Sequence, residues 1–122
     1  MAQFAAGDDL IFQLESGYGL LRVLAVEEDA ADADAVAVWH LLAYEELFPD
    51  AETAEAALAS PETLHARVAH MALTERAFER TPAARLGNRP LIEEEVTAYR
   101  KWVTHGAGEV SDRSVLLMLG LR

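Results

Sequence analysis

A chain of 122 residues with a formal charge of −11 and no cysteine suits one domain around one hydrophobic core. It excludes a disulfide framework, a thiol nucleophile and a cysteine-held metal. No apolar run reaches the ~20 residues that a membrane-spanning helix needs, so no membrane association is expected. The charge is uneven: residues 1–60 carry thirteen acidic side chains against Arg22 alone, whereas residues 61–122 carry eight acidic and nine basic.

Taken in order, Gly7-Asp8-Asp9 signals a turn, and the N-terminus before it lacks the basic start and apolar stretch of a signal peptide. Leu10–Glu15 alternates as a strand, with Leu10, Phe12 and Leu14 on one face. Ser16-Gly17-Tyr18-Gly19 connects it to a second strand over 20–27, forming a hairpin. Residues 28–34 are too acidic for a core and read as a loop. Val36–Leu42 forms a third strand, apolar on both faces. Its continuation ends at Pro49-Asp50, before a short helix over 51–59.

Residues 62–80 admit two readings. Ser60-Pro61 opens like a helix, but Val38-Trp39-His40 through Phe48 echoes in Val68-Ala69-His70 through Phe78 with four identities. The echo favours a fourth strand over 66–73. Residues 81–90, with Pro82, Gly87-Asn88 and Pro90, read as a loop. The 91–105 segment reads as an amphipathic helix: Ile92, Val96, Tyr99 and Val103 recur at helical spacing, Glu93–Glu95 fill the first turn, and Gly106 follows. Residues 112–119 suit a short helix closed by Gly120 or a terminal strand.

The expected architecture is therefore a single α+β domain over 1–122. A small twisted antiparallel sheet of three to four strands, built on an N-terminal meander, packs against C-terminal helices. An acidic, β-rich part (1–60) precedes a mixed, Arg-containing part (61–122). Tyr99, Trp102 and Val103 are expected to bury against Phe12, Leu14, Val23 and Val38, leaving Trp39 half exposed.

No catalytic set is legible. There is no G-x-S-x-G elbow, and Gly17-Tyr18-Gly19 lacks the third glycine of a dinucleotide loop. Adjacent carboxylates such as Asp8-Asp9 and Glu93–Glu95 read as solvated charge. His65 and His70 are five apart, which splays them by about 140° on a helix and sends them to opposite faces of a strand. His40 and His70 hold equivalent places in the echo; as cross-strand neighbours joined by Glu45 or Glu75 they would make a two-histidine, one-carboxylate metal site. No cofactor is expected.

The stretch Phe4…Gly7-Asp8…Ile11-Phe12…Gly17-Tyr18-Gly19…Arg22-Val23-Leu24 resembles the opening of immunity-protein-26-like domains of bacterial polymorphic toxin systems, in which a Gly-Asp precedes the first strand and a Tyr-Gly-Arg-Val-like hairpin follows. Here Leu20-Leu21 separates Gly19 from Arg22. The resemblance covers about the first quarter of the chain. It implies a β-rich module that binds and neutralises a cognate toxin, and no catalytic residues.

Charge and resemblance together point to a non-catalytic acidic module that binds a basic protein partner, as an immunity-type or regulatory protein. Asp8, Asp9, Glu27, Glu28, Asp29 and Trp39 are the candidate contact residues. Nucleic acid is not an expected partner of the acidic half, because phosphates require cationic neutralisation. The alternative is a small metal-dependent hydrolase using His40, His70 and Glu45. The composition is that of a bacterial cytoplasmic protein. The apolar residues Trp39, Leu41, Phe48, Leu117, Met118 and Leu119 exceed what one core should hold and suggest a homodimer.

Overall fold

The computed structural model describes residues 4–27, 37–105 and 110–121. The expected 28–34 loop with Glu28 and Asp29, the start of the third strand at Val36, and Gly106 lie outside those residues. The strands are β1 (Asp8–Leu14), β2 (Gly17–Glu27), β3 (Val38–Phe48), β4 (Ala66–Thr74) and β5 (Ala83–Asn88). The helices are α1 (Ala51–Ala57), α2 (Glu75–Glu79), α3 (Glu93–Thr104) and α4 (Val115–Leu119). One antiparallel sheet runs in the order β4-β3-β2-β1-β5, so the fold is α+β, with five strands rather than three or four. No described helix is long and apolar enough to cross a membrane.

Several elements follow directly from local chemistry. Leu14 pairs with Gly17 across a two-residue turn, so Gly17 and Tyr18 belong to β2. Gly19 lies under Phe12, where an added Cβ would sit 2.5 Å from the ring. The echo segment is a strand, as its match to β3 suggested, and Ser60-Pro61 opens only a three-residue 3₁₀ turn over Pro61–Thr63 before it. After β4, the Thr74 side chain caps α2 by accepting from the Ala77 N–H. At the C-terminal end the helix alternative is the observed one, with Ser114 as cap and Gly120 closing it at φ 67°.

β5 corrects the expected 81–90 loop. Its sequence, Ala83–Asn88, has little strand propensity, and proline flanks it on both sides. It survives as an edge strand, where proline and glycine are tolerated, paired to β1 alone. Asn88 Nδ2 donates to Asp8 Oδ1 at 2.8 Å and Arg89 Nε to Asp9 Oδ2 at 2.6 Å. Tertiary contacts hold a segment that its own composition would leave irregular.

Helices cover both sheet faces, as the two-sided apolarity of β3 requires. On one face Leu10, Phe12, Leu14, Leu21, Val23, Trp39, Leu41, Met71 and Leu73 meet Phe4, Phe78 of α2 and Val115 and Leu119 of α4. On the other, Ile11, Leu20, Leu24 and Leu42 meet Ala54 of α1 and Tyr99 of α3. The expected pairing of α3 with Phe12, Leu14 and Val23 is thus incorrect: α3 covers the opposite face, and Val103 is 49% exposed. Trp39 is only 2% exposed, stacked on Phe78 with centroids 4.3 Å apart and edge-on to Phe4. Three of the six residues that suggested a dimer, Trp39, Leu41 and Leu119, are inside the monomer. Trp39→Ala is expected to cost about 3–5 kcal/mol in urea denaturation and the half-buried Trp102→Ala clearly less, reversing the ranking that the sequence suggests.

The remaining organising feature is charged. Arg22, the one basic residue of the acidic half, is fully buried. Its Nε donates to Glu95 Oε2 at 2.6 Å and Nη2 to Glu95 Oε1 at 3.0 Å, a two-pronged contact with α3. Nη1 reaches the Gly7 carbonyl at 2.7 Å and Asp9 at 3.4 Å, and Nη2 the carbonyls of Arg89 and Pro90 at 3.1 and 2.9 Å. Gly7 can present that carbonyl because it adopts φ 90°; a Cβ there would lie 2.6 Å from the Arg89 oxygen. Burial alone would raise the Glu95 carboxyl pKa, but the Arg22 hydrogen bonds and the Ile92 N–H hold it below the usual value. Arg22→Ala is expected to cost about 3–5 kcal/mol because Asp9 and Glu95 lose a buried partner. Arg22→Lys should recover only part of the loss, a single ammonium being unable to match the fork; urea midpoints of the three proteins check this.

Candidate functional site

Burial redistributes the residues that charge alone nominated. Asp8 and Asp9 are each 1% exposed and engaged by Asn88, the Ala5 N–H, Arg89 and Arg22, so they are structural and offer no contact surface. Trp39 is likewise core. Of the nominated acidic residues, Glu27 alone is both described and exposed, at the end of β2.

Glu27 ends a chain of polar groups that the antiparallel β2–β3–β4 pairing assembles. His40 on β3 and His70 on β4 point to the same sheet face, diagonal across the pair, as the echo predicted. His40 Nδ1 and His70 Nε2 are 2.9 Å apart. Their ring planes differ by 12° with centroids 5.2 Å apart, the spacing of imidazoles lying end to end and sharing one proton. His40 is fully buried, and its Nε2 lies 3.2 Å from Glu27 Oε1, slightly off the line of a good hydrogen bond. Tyr99 of α3 donates its hydroxyl to the same Glu27 oxygen at 3.0 Å. Tyr99 and Trp102 cover the pair, their rings 4.6 and 4.8 Å from His40.

A carboxylate facing His40 Nε2 favours the tautomer with its proton there, which makes His40 Nδ1 the acceptor and His70 Nε2 the donor. His70 then presents Nδ1 as a lone pair. Both imidazoles are held neutral: burial lowers the His40 pKa against the opposing pull of Glu27, and burial followed by the proximity of His40 lowers that of His70 to about 4. Burial, then the Glu27 hydrogen bond, keeps the Tyr99 phenol protonated.

Glu45 does not join this pair. It lies with Glu46 and His65 at the far end of the β3–β4 hairpin, their ligand atoms within 4.8 Å of one another. Glu46 already accepts from the His65 backbone N–H at 2.7 Å and contacts its ring at 2.7 Å. As for His40 and His70, two nitrogens facing each other along a line would need about 4 Å between them to hold zinc at 2.0–2.1 Å each. Their observed spacing is that of a proton. A metal at this pair would require one ring to turn and Glu27 to serve in place of Glu45.

Around Glu45 the surface is acidic. Glu15, Glu45, Asp50, Glu52, Glu55 and Glu62 are exposed, and no lysine or arginine occurs between Arg22 and Arg67. Beside it a groove of about 510 Å3 runs between β3, the start of β4 and the beginning of α3. Leu42, Tyr44, Leu64 and Ile92 give it apolar lining, and Glu62, Glu94, Glu95 and the Asp9-bound Arg89 line it too. Burial keeps the Tyr44 phenol protonated despite a contact from Arg89. The sequence concealed this groove, because its lining residues come from three separate stretches, 42–44, 61–66 and 89–95, that only the pairing of β3 with β4 and the docking of α3 bring together.

No protein-family model matches the chain, and comparison with curated proteins and with solved structures finds no match.

The lowered His70 pKa has a measurable consequence. The unfolded imidazole takes up a proton near pH 6.5 while the folded one resists until about 4, so the unfolded state binds more protons in that window and stability falls as pH drops through it. The half-exposed ring is screened by solvent, which reduces the effect to about 1–2 kcal/mol. Urea denaturation at pH 6.5 and 4.5 should show a smaller stability difference for His70→Phe than for the wild type, and NMR titration should place the His70 midpoint near 4.

Proposed function

We propose that this chain is a non-catalytic binding module that engages a basic protein partner through its acidic end, as an immunity-type or regulatory protein. The observation that carries the reading is the exposed acidic set Glu15, Glu45, Asp50, Glu52, Glu55 and Glu62, which contains no cation and borders an apolar groove. A surface of one sign accelerates encounter with the opposite sign, and an adjoining groove admits an apolar side chain as anchor. Arg22 and Arg89 pair internally with Asp9 and Glu95 and not with the carboxylates of the acidic end. The resemblance of the N-terminal meander to immunity-protein-26-like domains agrees with a partner of this kind, and a bacterial cytoplasmic setting goes with a chain lacking cysteine. Self-association through the exposed Leu117 and the partly covered Phe48 and Met118 is compatible with this role.

A second reading, metal-dependent hydrolysis, draws on the His40–His70 contact. Stoichiometric metal in the purified protein, lost in a His40→Ala, His70→Ala double variant, would replace the first reading with it.

Charge reversal tests the binding module. Glu45→Lys, Glu55→Lys and Glu62→Lys together should leave thermal stability almost unchanged, since all three side chains are exposed. Association with an Arg/Lys-rich peptide carrying one leucine, followed by surface plasmon resonance at low salt, should slow by about tenfold or more. Raising salt should slow the wild type in the same way. Equal rates for the variant and the wild type would remove the acidic end from consideration.

A further inference from the structure

The His40–His70 chain serves no part of the acidic-end reading, yet it leads into a second cavity. This space, about 420 Å3, opens at the β4 edge and is lined among the described residues by His70, Met71, Ala72, Trp102, Ser111, Arg113 and Met118. A volume of this size accommodates a single-ring ligand. We propose that it binds a small planar organic acid that carries an O–H donor on its ring, a hydroxybenzoate-like molecule.

Each wall specifies one feature of that ligand. On the β4 side, the Glu27 carboxylate facing His40 Nε2 at 3.2 Å favours the tautomer in which His70 Nε2 donates to His40 Nδ1, and that tautomer leaves His70 Nδ1 as an acceptor. Among the described residues nothing bonds that nitrogen. A ligand meeting His70 therefore brings a hydrogen to donate. At Ser111, beside β4 and lining the same cavity, the polarity is reversed. Ser111 Oγ accepts the Arg113 N–H at 3.1 Å, so its own hydrogen is available to donate, and the Arg113 guanidinium stands exposed beside it. Two donors, one of them cationic, call for an anionic oxygen. Asp112 does not cancel that charge: its carboxylate is turned away to Thr74 Oγ1 at 2.7 Å and Arg76 at 2.9 Å. Beside these polar groups Trp102, Met71 and Met118 supply an aromatic face and two polarizable thioethers, which suit a flat ring.

Ser111 is set there by the sheet. Its N–H donates to the Ala72 carbonyl at 2.8 Å and its carbonyl accepts from Thr74 at 3.0 Å, a one-residue parallel bridge to β4. The acceptor on β4 and the donors after Ser111 are thus fixed to the same strand. Glu27, Tyr99 and His40 act as positioning residues, since they hold the tautomer of His70 without meeting the ligand.

Isothermal titration calorimetry with 3- and 4-hydroxybenzoate up to about 10 mM, a range that captures millimolar binding, tests the assignment on the wild-type protein. Binding is expected, with benzoate, 4-methoxybenzoate and phenol each weaker by about tenfold because each lacks one of the complementary groups. Arg113→Gln should weaken the hydroxybenzoates by a similar factor and leave phenol unaffected. The ring signals of His70 should shift on binding while those of His65 stay in place. If His70→Phe fails to fold, the wild-type comparison of hydroxybenzoates with 4-methoxybenzoate still decides. Absence of binding, equal affinity for benzoate and the hydroxybenzoates, or an unaltered Arg113→Gln variant would each overturn the proposal. None of these outcomes depends on the acidic end, which lies on different residues.

Discussion

A guanidinium removed from water must have its N–H donors matched, and Arg22 meets that condition with two carboxylates and three backbone carbonyls. Its partners come from the turn before β1, from β1 itself, from the segment after β5 and from α3. Those four pieces are distant in sequence and cannot satisfy the group individually. Each must therefore reach its final place for any one of them to be stable there. The same cluster explains why β5 exists. Arg89 follows it directly and locks Asp9 from the solvent side, while the Gly7 carbonyl accepts the Arg89 N–H at 2.9 Å. A buried charge that loses a partner is strongly penalised, so the network discriminates against alternative placements of α3 on a sheet whose faces are both apolar.

That discrimination matters because apolar pattern alone does not choose. β2 and β3 present oily side chains on both sides, and either face accepts an amphipathic helix. Glu95 sits in the first turn of α3, one position from Val96, the most buried residue of that helix. Pairing Glu95 with Arg22 brings Tyr99 to the Leu20–Leu24–Leu42 face and leaves the opposite face to Phe4, α2 and α4. Tyr99 then reaches Glu27, and Trp102 lies over the two histidines. The geometry of the histidine cavity is thus downstream of an ion pair with which it shares no atom.

The sequence carried the elements better than their arrangement. The hairpin, the β3 strand, the main helix and the Gly120 stop were legible because each rests on local chemistry: turn glycines, alternation, charge at helix ends, a left-handed cap. The pairing of His40 with His70 was legible through the echo, since equivalent positions on adjacent strands share a face. β5 was not, because its residues favour a loop and only Asp8, Asp9 and β1 make it a strand. Asp8 and Asp9 read as surface charge for the same reason: the cations of Asp9, Arg22 and Arg89, are 13 and 80 positions away, and Asp8 is bound by Asn88, 80 positions away. The fate of Trp39 turned on which helix covered which face, a choice held by Glu95. Glu27, the carboxylate beside His40, escaped notice because strand register placed it there, whereas Glu45 was near in sequence and remote in space.

Two kinds of charge coexist in the acidic half, and the fold separates them. Buried carboxylates meet arginines with donors aimed at them, where the interaction is directional and poorly screened. Exposed carboxylates around α1 and the end of β3 lie where no arginine or lysine is close in sequence, and their joint field extends into solvent. A self-neutralising protein would have mixed the two signs along the chain. This one confines its only early cation, Arg22, to the interior. Placing that guanidinium inside fixes α3 against the sheet and adds no counter-charge to the exposed carboxylates of the first sixty residues.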